Sequence, residues 1–560
     1  MRQSSRLAFA LLVCVSGPTA AQVTIPGSLE PGQIQRQLEQ PRPVRPAPER
    51  VLPAPPRQPV PPGAGELRFV LRSLTVEGAT VYRADELVKP FLPLIGKEIS
   101  VAQVFDIANQ MTARYRNDGY VLSQVLVPAQ NIQEGAVRLL AVEGYVDSVR
   151  FQGASSFEDQ ALAPYAERIR ASRPLRAEIL ERYLLLMNDL GGASAHATLI
   201  PSEKVTGAAD LVVELARTRS RVNLGVHNRN SKSLGPWRGT VDWDFSGAIA
   251  SWDQITARGG TSFNSEINYE GLGYALPIGA EGGRLGAAYT LVDAKPGPAA
   301  NFSLTGLRTR SSSGSVLYSY PWIRSRTHNL YLRGAFTTFD GTTTFEGADI
   351  SADRIRALRI GAAYDFTDRF LGVNLVDLEV AQGLKGLGAR EQGTSASPLS
   401  RINGNADFTK ANLYAARVQG LGGPWSLLGA LTAQHAFSNL LAPEQFAFGG
   451  EPFGRAYDAA ELLGDFGRAA KLELRYSSAL PRVGIPGYTA YAFYDWGEVR
   501  RRDPINQSSR ERAAARGIGV RFNALRRLGA FAEIADPINR DVGALGHRRP
   551  RFFAGIQLSL

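Results

Sequence analysis

Cysteine is almost missing from this chain of 560 residues: there is one, Cys14. It lies in a leader expected to be removed, so the mature protein would hold no thiol. That excludes disulfide staples, thiolate metal sites and cysteine nucleophiles together. Histidine is scarce too: His196, His227, His328, His435 and His547 stand without a second histidine or a carboxylate at metal-ligand spacing. Neither Gly-x-Ser-x-Gly nor His-Glu-x-x-His occurs, so no catalytic residue, metal site or cofactor is expected. Beyond the first twenty or so positions no apolar run approaches the ~18 residues of a spanning helix, and the mean hydropathy is −0.14. A helical membrane protein is thereby excluded. A membrane β-barrel is not, because its strands need only ~9–11 residues each and alternate polar with apolar.

What is present is 57 glycines and 19 tyrosines, in a chain 44% hydrophobic and 21% charged. That composition suits strands and turns around a sizeable buried surface. Arg2 and Arg6, the apolar stretch Leu7 to Val15 and the small residues before Ala21 read as a secretion signal over residues 1–21. The net charge of +11 would ordinarily raise nucleic acid as a partner, but export argues against it. The arginines are dispersed, and the densest groups, Arg500 to Arg502 and Arg510 to Arg516, read as solvated loop charge.

Residues 22–40 contain a candidate helix from Pro31 whose only apolar pair is Ile34 and Leu38. So polar a helix is expected to be unstructured or to sit in a wet channel, not to be held by an apolar core. Residues 41–65 form a proline-rich, semi-rigid linker, with ten prolines between Pro41 and Pro62. Residues 66–144 then read as strand (Phe69 to Val76), helix, helix, strand (Tyr120 to Val127), strand. In the second helix Ser100 and Gln103 form a capping box, and Val101, Val104, Phe105, Ala108, Met111 and Tyr115 recur at helical spacing. The same order repeats over 145–216. From 217 to 560 the pattern is alternating strands between turn residues. Trp237, Val241, Trp243 and Phe245 share one face, with Arg238, Asp242 and Asp244 on the other. Leu358, Ile360, Ala362, Tyr364 and Phe366 repeat that alternation opposite Arg359 and Asp365. Some 340 residues of this kind are too many for one ordinary sandwich and suit a barrel of about 16 strands.

Tyr115 to Gln130 followed by Val142-Glu143-Gly144, the stretch Gly449-Gly450-Glu451-Pro452-Phe453-Gly454-Arg455-Ala456-Tyr457, the motif Gly464-Asp465-Phe466-Gly467, and Phe493-Tyr494-Asp495-Trp496-Gly497 together resemble the outer-membrane transporters of two-partner secretion, the TpsB or FhaC-ShlB type. Gly454 and Ala456 stand where that family usually has valine and glycine. The resemblance implies a signal peptide, two periplasmic POTRA domains (66–144 and 145–216) and a 16-stranded transmembrane barrel (217–560). It implies a translocator that binds a large exported adhesin or cytolysin in the periplasm and passes it, unfolded, to the surface of a Gram-negative cell. A barrel assembly or insertion factor of the same superfamily is the alternative. Outer-membrane lipid and the cell's own barrel assembly machinery would be further partners.

The resemblance places a plug helix near residues 33–40 and folds the loop carrying Gly454, Arg455, Ala456 and Tyr457 back into the barrel. Asp495 shares an inward face with Phe493 and Gly497, so Arg455 is expected to reach it; the plain alternative is a solvated loop arginine contributing ~0–1 kcal/mol. Gly464, Asp465 and Gly467 form the second barrel motif. Client contact is expected in the first POTRA domain, by main-chain addition to an exposed strand edge on the surface between the Val101 helix and the Tyr120 strand, with Gln103, Arg114 and Gln124 as the exposed candidates.

Overall fold

A computed structural model of the chain describes residues 26–560 apart from 39–57, 133, 154–155, 203–204, 206, 298–305, 481–484, 505–507 and 525–526. The secretion signal and most of the proline-rich linker lie outside the described residues.

Helix α1 is Pro31–Leu38. After the linker come β1 (Arg68–Val70), β2 (Ser73–Glu77), α2 (Ala84–Val88), β3 (Glu98–Ser100), α3 (Val101–Asn117), β4 (Gln124–Leu126) and β5 (Ala136–Val142). The sheet runs β2-β5-β4, with β2 parallel and β4 antiparallel to β5. A second unit, β6 (Tyr145–Gln152), α4 (Ser156–Arg170), α5 (Ala177–Asn188), β7 (Ala193–Pro201) and β8 (Ala208–Arg217), has the equivalent order β6-β8-β7.

Helix α3 begins where Ser100 accepts the Gln103 N–H and the Gln103 side chain accepts the Ser100 N–H, a closed capping box. Its apolar face, including Val104, Ala108, Met111 and Tyr115, packs on Leu74, Val76, Val137 and Leu139 of the sheet. The strand expected over Phe69 to Val76 is interrupted: Leu71 donates to Lys97 and accepts from Gly96, so the chain leaves β3 before it joins β5. The strand expected from Tyr120 shortens to β4, because Tyr120 and Ser123 bond back to Tyr115 and Tyr120 in successive turns.

Beyond Arg217 sixteen antiparallel strands close into a barrel, from Ser220–His227 to Arg551–Ser559, and the last pairs with the first. Strand lengths run from 8 residues to the 20 of Ala348–Thr367. Val241, Trp243, Leu358 and Ile360 are exposed on the outer wall, while Ile355, Ala357 and Ala363 are buried inside, the alternation a membrane barrel requires. Arg510 to Arg516 are not loop residues: they lie in strand Arg510–Ala524, where Arg510 and Arg512 bond Glu498 and Arg516 bonds Asp536.

The second α+β unit is fastened to the near end of the barrel. Arg324 takes Asp189 of the α5 C-cap in two bonds of 2.7 and 2.8 Å, and Arg326 takes Glu181 of α5 at 2.6 Å. Tyr183 and Arg182 both donate to Glu281 in a barrel turn.

Candidate functional site: a loop held in the barrel lumen

The segment joining strands Trp425–Ala436 and Phe466–Leu480 does not extend away from the barrel. Phe446–Phe448 pairs with Leu462–Gly464 as a short hairpin, and its buried residues join the inner wall in one cluster with Tyr491, Phe493 and Val499. Two wall glycines make room for it. A Cβ at Gly467 would overlap the Phe446 ring, and one at Gly497 would overlap the Phe448 ring. Gly454 has φ +99° and lies against Phe448, a turn that a β-branched residue would resist.

At the tip, Arg455 is 2% exposed. Its Nε and Nη2 donate to the two oxygens of Asp495 at 3.0 and 2.8 Å, and Nη1 donates to Glu473 at 2.5 Å. The main-chain N–H groups of Gly454 and Arg455 also donate to Asp495, each at 3.1 Å. The guanidinium carbon lies 3.4 Å from the centre of the Phe493 ring. Glu473 is further held by Arg475 and Arg521, and Glu533, 3.7 Å from Arg455, by Arg229 and Tyr491. The forked pairing needs arginine, since a lysine ammonium cannot serve both Asp495 oxygens and Glu473 in one plane. Ala456 offers its carbonyl to Arg551, and the Tyr457 hydroxyl donates to Ala514 O at 3.0 Å. Glu473 and Glu533 were not singled out from sequence. The signal was there in part: each is a lone carboxylate on the inward parity of an otherwise ordinary strand.

The second motif works at the base of the same loop. Asp465 is fully buried and accepts from Arg401 at 2.6 and 3.2 Å and from the N–H groups of Leu440 and Arg502 at 2.9 Å each. A Cβ at Gly464 would crowd Val499 and Arg500. Nearby, Glu444 gathers Arg359 and Lys410, both at 2.6 Å, with Arg36 of α1 at 3.4 Å. Helix α1 is buried beside this loop. Contrary to the expectation that no apolar core could hold it, Leu29 and Ile34 pack with Leu234, Ile267, Val292, Ala294 and Leu307, while Gln33 bonds the main chain of Ala442 and Gln445.

Residues 207–522 match the family described as haemolysin secretion/activation protein ShlB/FhaC/HecB. The chain belongs to this family. Residues 69–144 match the ShlB-type POTRA domain. Among curated relatives, this TpsB chain is 22% identical to the heme/hemopexin transporter protein HuxB of Haemophilus influenzae over 74% of its own length and 72% of the relative's. It is also 22% identical to the outer membrane transporter CdiB of Escherichia coli, over 80% and 76%. The solved structure of CdiB from Escherichia coli matches with a TM-score of 0.71 at 18% identity, covering 97% of this chain and 100% of that one. CdiB from Acinetobacter baumannii gives 0.60 at 17%, over 94% and 96%. The TpsB chain is thus an outer-membrane secretion protein, with its POTRA region on the periplasmic side.

In the first POTRA domain the family's Glu143 is a structural pin. It accepts from the N–H groups of Thr80 and Val81, the Thr80 hydroxyl and the Tyr115 hydroxyl. Partial burial pushes its carboxyl up, but these four donors outweigh burial and hold it below the usual range. Of the three residues expected at the client surface, Gln103 and Arg114 have side-chain partners inside the domain and Gln124 is placed by the sheet. Gln103 closes the α3 cap. Arg114 bonds Glu86 and lies over the Tyr82 ring. Gln124 is in register with Val142 of β5. Val125 instead turns both main-chain groups to the Thr112 hydroxyl. Because pairing alternates along an antiparallel ladder, Val127 also faces away from β5, and both of its groups are taken by the Gln58 side chain. The outer edge of β4 is therefore already occupied.

Proposed function

We propose that the chain captures one large exported polypeptide in the periplasm and passes it, unfolded, through the barrel, without covalent chemistry. Loop 437–465, fixed by Arg455, keeps the barrel competent for transport, and α1 is the resting plug. The observation that carries this reading is the forked Arg455 to Asp495 pairing inside the lumen. It commits a loop tip to one position inside the barrel.

Client recognition lies on the first POTRA domain, on the side chains between α3 and β4 that include Gln103, Arg114 and Gln124. Main-chain addition to β4 would first have to displace Gln58, so side-chain contact is the readier mode for this surface. The partner is a large secreted exoprotein of adhesin or cytolysin type. Outer-membrane lipid surrounds the barrel, and the cell's barrel assembly machinery inserts it. Nucleic acid is not a partner.

Removing the chain from its own cell separates this reading from the assembly-factor alternative. One large polypeptide should vanish from the surface and medium while the other outer-membrane barrels keep their amounts. A general loss of outer-membrane barrels, with no single missing exoprotein, would make the chain an assembly factor.

A further inference from the structure

Two elements at different places in the chain fasten to the same short stretch of the lumen loop, Leu440 to Gln445. From inside the lumen, α1 reaches it with Gln33, which donates to Ala442 O at 2.8 Å and Gln445 O at 3.2 Å. Arg36 donates to Gln445 O at 2.7 Å, and Gly32 sits so close to Pro443 that a Cβ would overlap its ring. From the mouth of the barrel, the loop between strands Val373–Gly383 and Thr409–Gly422 reaches it with Ser400 and Arg401. The Ser400 hydroxyl accepts the Ala442 N–H at 3.0 Å. Arg401 donates to Leu440 O at 2.5 Å and to Asp465, which in turn accepts the Leu440 N–H. Leu399 and Ala406 of that loop pack with Leu440 and Leu441 in one buried cluster.

Ala442 shows the sharing within one residue: its N–H goes to the mouth loop and its carbonyl, which also accepts the Gln445 N–H at 3.3 Å, accepts from α1. The stretch has only a single 3-10 turn, Ala442–Glu444, of its own, so these partners set its conformation. Lys410 and Arg359 anchor the stretch to the barrel wall at Glu444, beyond the Leu440 to Ala442 part that the mouth loop holds.

We propose that α1 and the mouth loop 384–408 are energetically coupled through residues 440–445, so that release of one loosens the seat of the other. This rests on the reading of α1 as a movable plug. Coupling between two sites is reciprocal, so the effect has to be visible from both ends. The hydrogen bonds of Arg401 end on Leu440 and Asp465, so the shared stretch is its most direct connection to α1, whereas Ser400 also bonds Asp353 on the barrel wall.

The test uses the full chain carrying Cys14→Ser, in which any introduced thiol is unique. Two buried reporters, Ser28→Cys beside α1 and Ala406→Cys in the mouth loop, are each reacted with a soluble maleimide in outer-membrane vesicles. Arg401→Ala, and separately the milder Ser400→Ala, should raise the labelling rate at position 28. The pair Gln33→Ala and Arg36→Ala should raise it at position 406. Each rise is expected at about fivefold or more, the lower range of measured couplings, with heat-modifiable migration confirming an intact barrel. The same Gln33→Ala, Arg36→Ala chain reports on the plug alone through position 28. If labelling there does not rise, α1 is not a movable plug and both ideas fall. If it rises there but position 406 stays at its starting rate, or Arg401→Ala and Ser400→Ala leave position 28 unchanged, the plug stands and the coupling is overturned.

Discussion

Arg455→Ala is the most informative single change in the lumen. It removes two bonds to Asp495, one to Glu473, a longer pairing with Glu533 and the stacking on Phe493. Glu473 keeps Arg475 and Arg521, and Glu533 keeps Arg229 and Tyr491. Asp495, with no exposed surface, keeps only the two loop-tip N–H groups as hydrogen-bond donors, with the charge of its cross-strand neighbour Lys471 as remaining support. One orphaned buried carboxylate costs about 3–5 kcal/mol. That is a shift of roughly two to three and a half powers of ten between the seated and displaced loop, at about 1.4 kcal/mol per tenfold. The wall strands keep their ladders, so the barrel itself should persist. Intact cells should therefore show loop 437–465 newly cut by an external protease and secretion sharply reduced, with heat-modifiable migration retained. Arg455→Lys should fall between the two, keeping charge but not the fork. Combining Arg455→Ala with Asp495→Asn should cost less than the sum of the single changes, because the orphan charge is gone. The reasoning fails if Arg455→Ala stays protease-resistant and secretes normally, or if the double variant is additive within about 0.5 kcal/mol.

Gly497→Ala should hinder seating of the Phe448 ring and lower the temperature of heat-modifiable migration, at an overpacking cost of about 1–3 kcal/mol; an unchanged transition would show that the glycine floor is not required. Glu143→Gln should destabilise the first POTRA domain by about 1–3 kcal/mol at neutral pH, through weakened charge-assisted bonds. Because the folded-state carboxyl lies below its ordinary range, its contribution is full above the unfolded value of about 4.3 and lost as pH falls through the folded one. Chemical denaturation of parent and variant across pH should thus converge in acid; a gap that persists there would refute the linkage. Removing residues 22–62 should raise single-channel conductance in planar bilayers, and no rise would sink the plug.

The features legible in the sequence were those carried by local period and local chemistry. Alternation across Trp237 to Phe245 and Leu358 to Phe366 marked barrel wall, and Ser100 with Gln103 marked the start of α3. What stayed hidden depends on which distant segments meet. Glu444 was not singled out, and its partner Arg36 lies 408 positions away. The apolar support of α1 comes from wall residues 267 to 307, so the composition of the helix alone pointed to a wet site. Arg510 to Arg516 looked like loop because their carboxylate partners, Glu498 and Asp536, lie on neighbouring strands. Arg114 read as an exposed contact residue because its partners, Glu86 and the Tyr82 ring, do not show in a linear pattern.

The attachment of α5 to the barrel turns sets a boundary condition on delivery. Arg324 and Arg326 hold Asp189 and Glu181 on one side of the periplasmic rim, and Tyr183 fixes Glu281 beside them. At the other end of this unit Leu175 donates to Gly144 O and Ala177 to Gly119 O, both at 2.8 Å, which ties it back to the first domain. A docked polypeptide would therefore approach the pore along one compass bearing, with little freedom to swing around the rim. The length of chain needed to bridge from docking surface to pore is then set by the bracket and not by the client.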